Sequence, residues 1–241
     1  MESTQVKYIF FHIPKTGGTT FRIHLQDKLI DQLEFIHLAN KGNKWAEKMN
    51  KPAFHLRSIE DRNKAKVILG HLVDYETKSL FLEKIIHEIV FFRDPFDWEI
   101  SRYNQMMNRR VKHNKPIIPF LKWFNQVEKI HSQFDWFLAK YLKIGPNIHQ
   151  LNKQTKKHIL FSTLYQFKYV CFLEQIESFS KMLYKKLGVT GLAKPKNVVG
   201  KDKVNYFEES KENLDVLKYH CQFENKLYNK IRNTFGQNFK L

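Results

Sequence analysis

The chain has 241 residues, of which 42% are hydrophobic and 15% aromatic, so it can bury a sizeable core. No run approaches the roughly 20 apolar residues of a membrane span, and no linker or internal repeat divides the chain, so we predict one domain over residues 1–241. The 41 Lys and Arg residues outnumber 24 Asp and Glu residues, and the formal net charge of +17 favours a polyanionic partner: nucleic acid, an anionic membrane, a sulfated or carboxylated glycan, or a multiply phosphorylated cofactor.

The cysteines and the N-terminal residues indicate a compartment. Cys171 and Cys221 are too few for a disulfide framework and lack the paired spacing of a zinc site, so we predict two free thiols. The N-terminal sequence from Met1 to Lys7 does not combine a charged segment with an apolar one, which is the pattern of a signal peptide. These features predict a cytoplasmic protein without a membrane span.

The first predicted element is a buried strand from Val6 to His12, because Tyr8, Ile9, Phe10 and Phe11 are continuously apolar. A loop rich in glycine and threonine follows. A helix is predicted from Thr19 to about Asp31, with apolar residues recurring every four positions at Phe21, Leu25 and Leu29.

The loop between this strand and helix has the composition of a phosphate cradle. Gly17 and Gly18 let the backbone turn with its N–H groups inward, the new helix adds the positive end of its dipole, and Lys15 adds a mobile cation. An ordinary glycine turn would fit the shape but would leave the lysine and three threonines unexplained. The nearest nucleotide-binding pattern is the Walker A loop, G-x-x-x-x-G-K-[ST]. Here the lysine precedes the glycine pair, so the magnesium-holding hydroxyl of a triphosphatase is not in its place.

The next strands are predicted at Leu33–Leu38 and at Lys66–Leu69, the latter followed by Gly70 and His71. Ligands of α/β sheets gather at strand ends, so His71 would open onto the same crevice as the Lys15 loop if the strands are parallel. An imidazole that titrates near neutrality can accept a proton from a hydroxyl. A lone histidine at a strand end is by default structural, but the preceding glycine and its position between two motifs favour a functional role.

A further strand is predicted at Ile85–Phe92, followed by a helix in which Asp94 is the N-cap and Pro95 the first residue. The start of a helix explains why Asp94 and Pro95 stand at these positions, but it gives no reason for Arg93 or Ser101. An arginine at the strand end can offer its planar fork to a phosphate, and a serine in the second helical turn can donate one more hydrogen bond to it. Apolar residues followed by Arg93 and Asp94 also look like a degenerate Walker B strand, which keeps a triphosphatase open.

The second half is predicted to be mainly helical. Its aromatic residues and leucines predict core-facing stripes on two helices, with sugar stacking by some of the aromatics as the alternative: Phe120, Leu121, Trp123, Phe124, Phe134, Trp136, Phe137, Leu138, Tyr141 and Leu142. A basic run follows the helix of the Arg93 motif: Arg109, Arg110, Lys112, His113 and Lys115. A late strand is predicted at Tyr169–Leu173, followed by a helix at Glu174–Leu187 that stops at Gly188. A basic loop then runs from Gly191 to Lys203 and contains Lys194, Lys196 and Lys201. The last helix is capped by Ser210 and runs to about Phe235.

The loop His12–Phe21 closely resembles the 5′-phosphosulfate loop of sulfotransferases that use 3′-phosphoadenosine 5′-phosphosulfate (PAPS), and within them the carbohydrate group that includes the heparan sulfate sulfotransferases. That family carries an Arg and, eight residues on, a Ser that grip the 3′-phosphate, and Arg93 and Ser101 have this spacing. The resemblance anchors the first hundred or so residues. It implies a P-loop-like sulfotransferase fold: a single α/β domain with a central, mainly parallel sheet flanked by helices.

The resemblance also implies a mechanism. Lys15 and the backbone N–H groups of Thr16, Gly17, Gly18, Thr19 and Thr20 would hold the 5′-phosphate of PAPS, and Arg93 and Ser101 would hold its 3′-phosphate. His71 would be the general base, and Lys15 would neutralise the leaving group 3′-phosphoadenosine 5′-phosphate (PAP). We expect no metal, no nucleic-acid partner, and a hydroxyl acceptor that is a glycan. A P-loop kinase or triphosphatase and a nucleic-acid-binding protein stay open as alternatives.

Overall fold

The computed structural model describes residues 6–29, 34–38, 58–81, 85–126, 132–190 and 204–236. The strands are β1 Val6–Phe11, β2 Phe35–Leu38, β3 Val67–Gly70, β4 Ile85–Phe92 and β5 Tyr169–Phe172. The helices are α1 Gly18–Leu29, α2 Ile59–Lys64, α3 Pro95–Lys112, α4 Phe120–Gln126, α5 Gln133–Tyr141, α6 Lys153–Leu164, α7 Ile176–Leu187 and α8 Lys211–Phe235. Short 3-10 turns lie at Thr77–Leu80, Gly145–Gln150 and Leu173–Gln175.

The strands form one sheet in the order β2-β3-β1-β4-β5, and every pair of neighbours is parallel. This confirms the predicted single α/β domain with a central parallel sheet. After β1 the chain moves to the β2 side of the sheet, and after β4 it moves to the β5 side. The carboxyl ends of β1 and β4 therefore flank the point where the connections diverge, which is where open α/β sheets bind ligands.

Alternate residues of the strands feed two cores, as period-two side-chain alternation requires. Tyr8 and Phe10 of β1 pack with α1 and α7, whereas Ile9 and Phe11 pack with α5, α6 and the C-terminal half of α8. The three residues of the predicted α1 stripe are all buried in the first of these cores: Phe21, Leu25 and Leu29. A third cluster joins α3, α4 and α8 beyond the sheet.

The predicted helix boundaries follow from their caps. The Asp94 carboxylate accepts hydrogen bonds from the N–H groups of Phe96 and Asp97 at 2.9 and 3.3 Å. Ser210 caps α8 by accepting from Asn213 at 3.2 Å, and Gly188 ends α7 with a φ of 68°. All three caps are confirmed, and the physical reason is the usual one: short oxygen-bearing side chains satisfy free N–H groups, and glycine tolerates the left-handed conformation.

Three details of the prediction were wrong. Leu173 opens a 3-10 turn and does not extend β5, and the α-helix after it begins at Ile176. The first three basic residues of the run at 109–115 belong to the last turn of α3, where their charge complements the helix dipole. The strand β3 begins at Val67 and not at Lys66, whereas Trp136 packs against the core as predicted, although it is only partly buried.

Cys171 and Cys221 are buried free thiols, as predicted. The predicted basic loop with Lys194, Lys196 and Lys201 lies outside the described residues. Across the described ranges, no helix is both long enough and apolar enough to cross a membrane.

Candidate functional site

The sheet register brings His71 beside the loop that follows β1. Phe11 pairs with Gly70 in the parallel ladder between β1 and β3, and one residue further on the two strands carry His12 and His71. The two imidazole rings stack with centroids 4.3 Å apart and planes 20° apart. The His12 N–H donates to the Gly70 carbonyl at 3.1 Å, which extends the ladder by one bond. The loop after β1 and the end of β3 are thus joined by backbone and side chain.

The loop after β1 turns through two residues with left-handed backbone. Lys15 has a φ of 70° and Gly17 a φ of 88°. Glycine adopts this conformation freely, whereas a residue with a Cβ pays roughly 1–2 kcal/mol there. The buried hydroxyl of Thr16 donates to the Ile13 carbonyl at 2.8 Å and fixes the turn. Strain of this kind persists where the surroundings over-determine it, most often at functional sites.

The same turn leaves backbone donors at the start of α1. The Thr20 N–H donates to the Gly17 carbonyl at 3.0 Å. The N–H groups of Gly17, Gly18 and Thr19 donate to no backbone carbonyl within the ranges that the structure describes. A Cβ built on Gly18 would lie 2.2 Å from the His12 ring, so a glycine is needed for the helix to start this close to the strand. Free N–H groups and the positive end of the helix dipole together suit an anion.

A hydrogen bond from Trp98 links the loop after β1 to the strand-to-helix junction after β4. Phe11 pairs with Val90 between β1 and β4, and Pro14 and Arg93 each lie three residues beyond that pair. The indole Nε1–H of Trp98, a buried residue in the first turns of α3, donates to the Pro14 carbonyl at 2.8 Å. The two motifs that sequence analysis singled out are therefore neighbours at the divergence point of the sheet.

Arg93 and Ser101 are both partly buried. The Arg93 Nε is buried and has no hydrogen-bond partner within the described chain. Its terminal nitrogen lies 3.6 Å from a carboxylate oxygen of the exposed Asp97, a contact too long and too solvated to hold the guanidinium firmly. Ser101 follows Asp97 by four residues and Trp98 by three, so it lies on the same face of α3 as both of them. The arginine and the serine could both contact one phosphate beside the loop.

The hydrogen bond made by His71 decides which of its nitrogens is basic. Its Nδ1 lies 2.6 Å from the His12 carbonyl oxygen, which can only accept, so Nδ1 carries the proton. Nε2 is then the unprotonated nitrogen of the neutral ring. The edge of Trp136 packs against this ring at 5.9 Å. His71 is exposed as a whole residue, while its imidazole ring is partly enclosed by the rings of His12 and Trp136.

Three histidines lie at this end of the sheet, and burial is the main cause that lowers the pKa of each. Burial lowers the pKa of His71, and the His12 carbonyl partly offsets this. The pKa of His12 falls well below its ordinary value, first through burial and then through the charges of His71, His37 and Arg22. Burial, followed by Arg22 and His71, lowers the pKa of His37 to about 4. All three rings are neutral at pH 7, as a general base must be.

We expect His37→Leu to make the protein less sensitive to acid. A histidine whose pKa is lowered on folding binds its proton more readily in the unfolded chain, so stability is full above pH 6.5 and falls as the pH drops toward 4. For His37 the loss between pH 7.5 and pH 5 amounts to about 2 kcal/mol. Urea unfolding followed by circular dichroism at both pH values measures it. The wild type should lose about 2 kcal/mol more than the variant. Equal losses would show that His37 is not the group that titrates.

A separate cavity of about 460 Å³ lies between α5, α6 and α8, lined by Ser132, Asp135, Lys153 and Glu224 among others. None of the predicted site residues lines it. Burial raises the pKa of Glu224 to about 8, against a smaller lowering by its hydrogen bond with Ser132, so this carboxyl is largely neutral at pH 7.

Sequence analysis missed three residues that build the site: Trp98, His12 and Gln133. Neither Trp98 nor Gln133 belongs to a motif, and His12 stands in the loop sequence without a signal for its role. In comparisons with known proteins, no family model and no curated protein matches the chain.

Proposed function

We propose that the protein is a sulfotransferase that moves the sulfuryl group of PAPS to a hydroxyl of a carbohydrate acceptor. The observation that carries the proposal is the Trp98–Pro14 hydrogen bond at 2.8 Å, because it makes the Lys15 loop and the Arg93 junction two sides of one crevice. One side offers free N–H groups and a lysine, and the other offers an arginine and a serine. PAPS carries a phosphate at each end of its ribose, and each would meet one of these sides.

Each residue then has a defined task. The N–H groups from Thr16 to Thr19 hold the 5′-phosphate, since the Thr20 N–H donates to the Gly17 carbonyl. Arg93 with Ser101 holds the 3′-phosphate, so binding energy remote from the sulfur orients it for in-line attack. Bound PAPS supplies a sulfuryl group joined to a good leaving group.

His71 Nε2 takes the proton of the acceptor hydroxyl as its oxygen bonds to sulfur. Lys15 stabilises the negative charge that the bridging oxygen gains as the bond to sulfur breaks and PAP is formed. The sulfuryl group carries less charge than a phosphoryl group, so the proposal requires no metal.

The acceptor and the compartment belong to the same proposal. A net charge of +17 suits an anionic acceptor such as a carboxylated or sulfated glycan. The exposed basic residues near the end of α3 would steer such an acceptor: Arg109, Lys112, His113 and Lys115. Both cysteines are free and buried, which fits a reducing environment, and we place the enzyme in the cytoplasm.

A P-loop kinase or triphosphatase is the second candidate. It would need Asp94 as a magnesium ligand at the end of β4. The carboxylate of Asp94 instead caps α3 through the N–H groups of Phe96 and Asp97. The magnesium-holding hydroxyl is also missing from the loop motif. Both observations favour the sulfotransferase.

Thermal shift with three ligands tests the proposal. A ligand that binds only the native state raises the melting temperature in proportion to RT ln(1 + [L]/Kd). PAP without magnesium should raise it by several degrees, whereas ATP with magnesium and a single-stranded oligonucleotide should not. A shift that requires ATP and magnesium would favour the kinase. A shift with the oligonucleotide that collapses with added salt would favour a nucleic-acid-binding protein.

We expect Arg93→Ala to weaken PAP binding by about 10- to 100-fold, since a charge-assisted hydrogen bond contributes about 1.5–3 kcal/mol. Binding of adenosine 5′-monophosphate, which lacks the 3′-phosphate, should change by less than about twofold. Isothermal titration of both nucleotides gives the two constants. Asp97→Asn is the matched control, because it removes the weak contact to Arg93 and leaves the guanidinium in place. Equal losses for PAP and adenosine 5′-monophosphate in Arg93→Ala would refute the 3′-phosphate contact.

A further inference from the structure

Gln133 is a buried amide that pairs with both backbone groups of Arg93. It is the first residue of α5 and is 0% exposed. Its Oε1 accepts from the Arg93 N–H at 2.9 Å, and its Nε2 donates to the Arg93 carbonyl. A buried amide is costly unless both of its ends find partners, and here both do.

This pairing begins where the sheet ends. The last register pair between β4 and β5 joins Phe92 to Phe172, so Arg93 is the first residue of the strand end without a strand neighbour on that side. Gln133 supplies the donor and acceptor that a neighbouring strand would have supplied. The N–H and the carbonyl of Arg93 are therefore both held, which fixes the point from which its side chain leaves the backbone.

The guanidinium itself is left for a ligand. Within the described chain its Nε is buried without a partner, and the only ion pair that the structure gives it is the 3.6 Å contact with Asp97. A rigid backbone under a weakly engaged guanidinium is the arrangement expected of a preorganised anion ligand.

The same helix also reaches the proposed base. Trp136 lies three residues beyond Gln133, about 4.5 Å along the axis of α5, and its ring packs against His71 at 5.9 Å. One short helix thus spans the gap between Arg93 and His71. Its N-cap Ser132 accepts from the N–H groups of Phe134 and Asp135 at 3.1 and 3.3 Å but makes no contact with Arg93 among the described residues.

We propose that Gln133 is a positioning residue that aims Arg93 at the 3′-phosphate and so sets the preference of the site for PAP over adenosine 5′-monophosphate. The inference rests on the proposed function of the same site. It adds a residue that touches no ligand but controls selectivity between two nucleotides that differ by one phosphate.

The test compares the ratio of the two dissociation constants, measured by isothermal titration, in three variants. Gln133→Leu keeps the approximate length of the side chain and removes both hydrogen bonds to Arg93. It should reduce the preference for PAP by at least about fivefold, with adenosine 5′-monophosphate binding changed by less than about twofold. Gln133→Glu keeps the acceptor for the Arg93 N–H and loses the donor at neutral pH, so it should fall between Gln133→Leu and the wild type. If Gln133→Leu does not fold, the ratio of the two dissociation constants in Gln133→Glu still tests the inference.

Ser132→Ala is the control for stability. It removes the cap of the same helix one residue away and should lower the melting temperature while leaving the preference for PAP unchanged. A preference that survives in both Gln133 variants would overturn the inference, as would an equal loss in Ser132→Ala. Failure of the proposed function would look different, because the wild type itself would then show no preference for PAP.

Discussion

Replacing Lys15 with alanine is expected to lower kcat by about 10²–10³-fold with little change in the melting temperature. In the proposed mechanism this lysine stabilises the negative charge that develops on the bridging oxygen, and no other residue of the loop carries a positive charge. The loss should fall on kcat more than on KM, because the charge on that oxygen grows only as the bond to sulfur breaks. Steady-state assay of sulfuryl transfer from labelled PAPS measures both constants.

The left-handed backbone of Lys15 provides a sharper control. At a φ of 70°, Lys15→Gly removes both the charge and the backbone strain. It should abolish turnover as fully as alanine does, while the melting temperature stays the same or rises. A loss of activity in a protein that is no less stable cannot come from unfolding. Near-normal turnover in either variant would show that the lysine is not the charge-stabilising group.

Replacing His71 with alanine is expected to lower kcat by about 10²–10⁴-fold, the usual contribution of a general base. The wild type should gain activity with rising pH through an apparent pKa below 6.5, because burial lowers the pKa of this histidine. Above that pH the ring is neutral and Nε2 is free to accept the proton. The residual activity of His71→Ala should not show this rise with pH.

His71→Asn is the matched variant, since its amide can still donate to the His12 carbonyl but offers no basic nitrogen. It should be as inactive as His71→Ala while keeping the anchoring hydrogen bond. A variant that retained turnover with the amide in place would mean that His71 only positions the loop after β1. The general base would then be another residue of the site.

The sequence predicted the elements better than it predicted the contacts between them. The strand at Ile85–Phe92 and the caps at Asp94 and Ser210 are local signals, and each was confirmed because the residues that decide them are adjacent in the chain. The parallel sheet was implied by the resemblance of the Lys15 loop and the Arg93 junction, and it is confirmed. The strand-to-3-10 boundary at Leu173 was missed because an apolar residue there fits either conformation.

Only the motif residues of the candidate site could be predicted from the sequence. Lys15 and Arg93 stand out by motif, and the structure places them beside one divergence point of the sheet. The residues that join the two motifs do not stand out. Trp98 reaches Pro14 across 84 positions and Gln133 reaches Arg93 across 40, and no periodicity or spacing encodes such pairs. The stacked pair of His12 and His71 likewise depends on the register of two strands, which tertiary structure alone supplies.

A crystal structure of the protein with bound PAP would test the central claim most directly. We expect the 5′-phosphate to contact the N–H groups of the loop from Thr16 to Thr19, and the 3′-phosphate to contact Arg93 and Ser101, with the ribose between them. Binding of PAP elsewhere, for example in the cavity beside α8, or with neither phosphate at these groups, would contradict it.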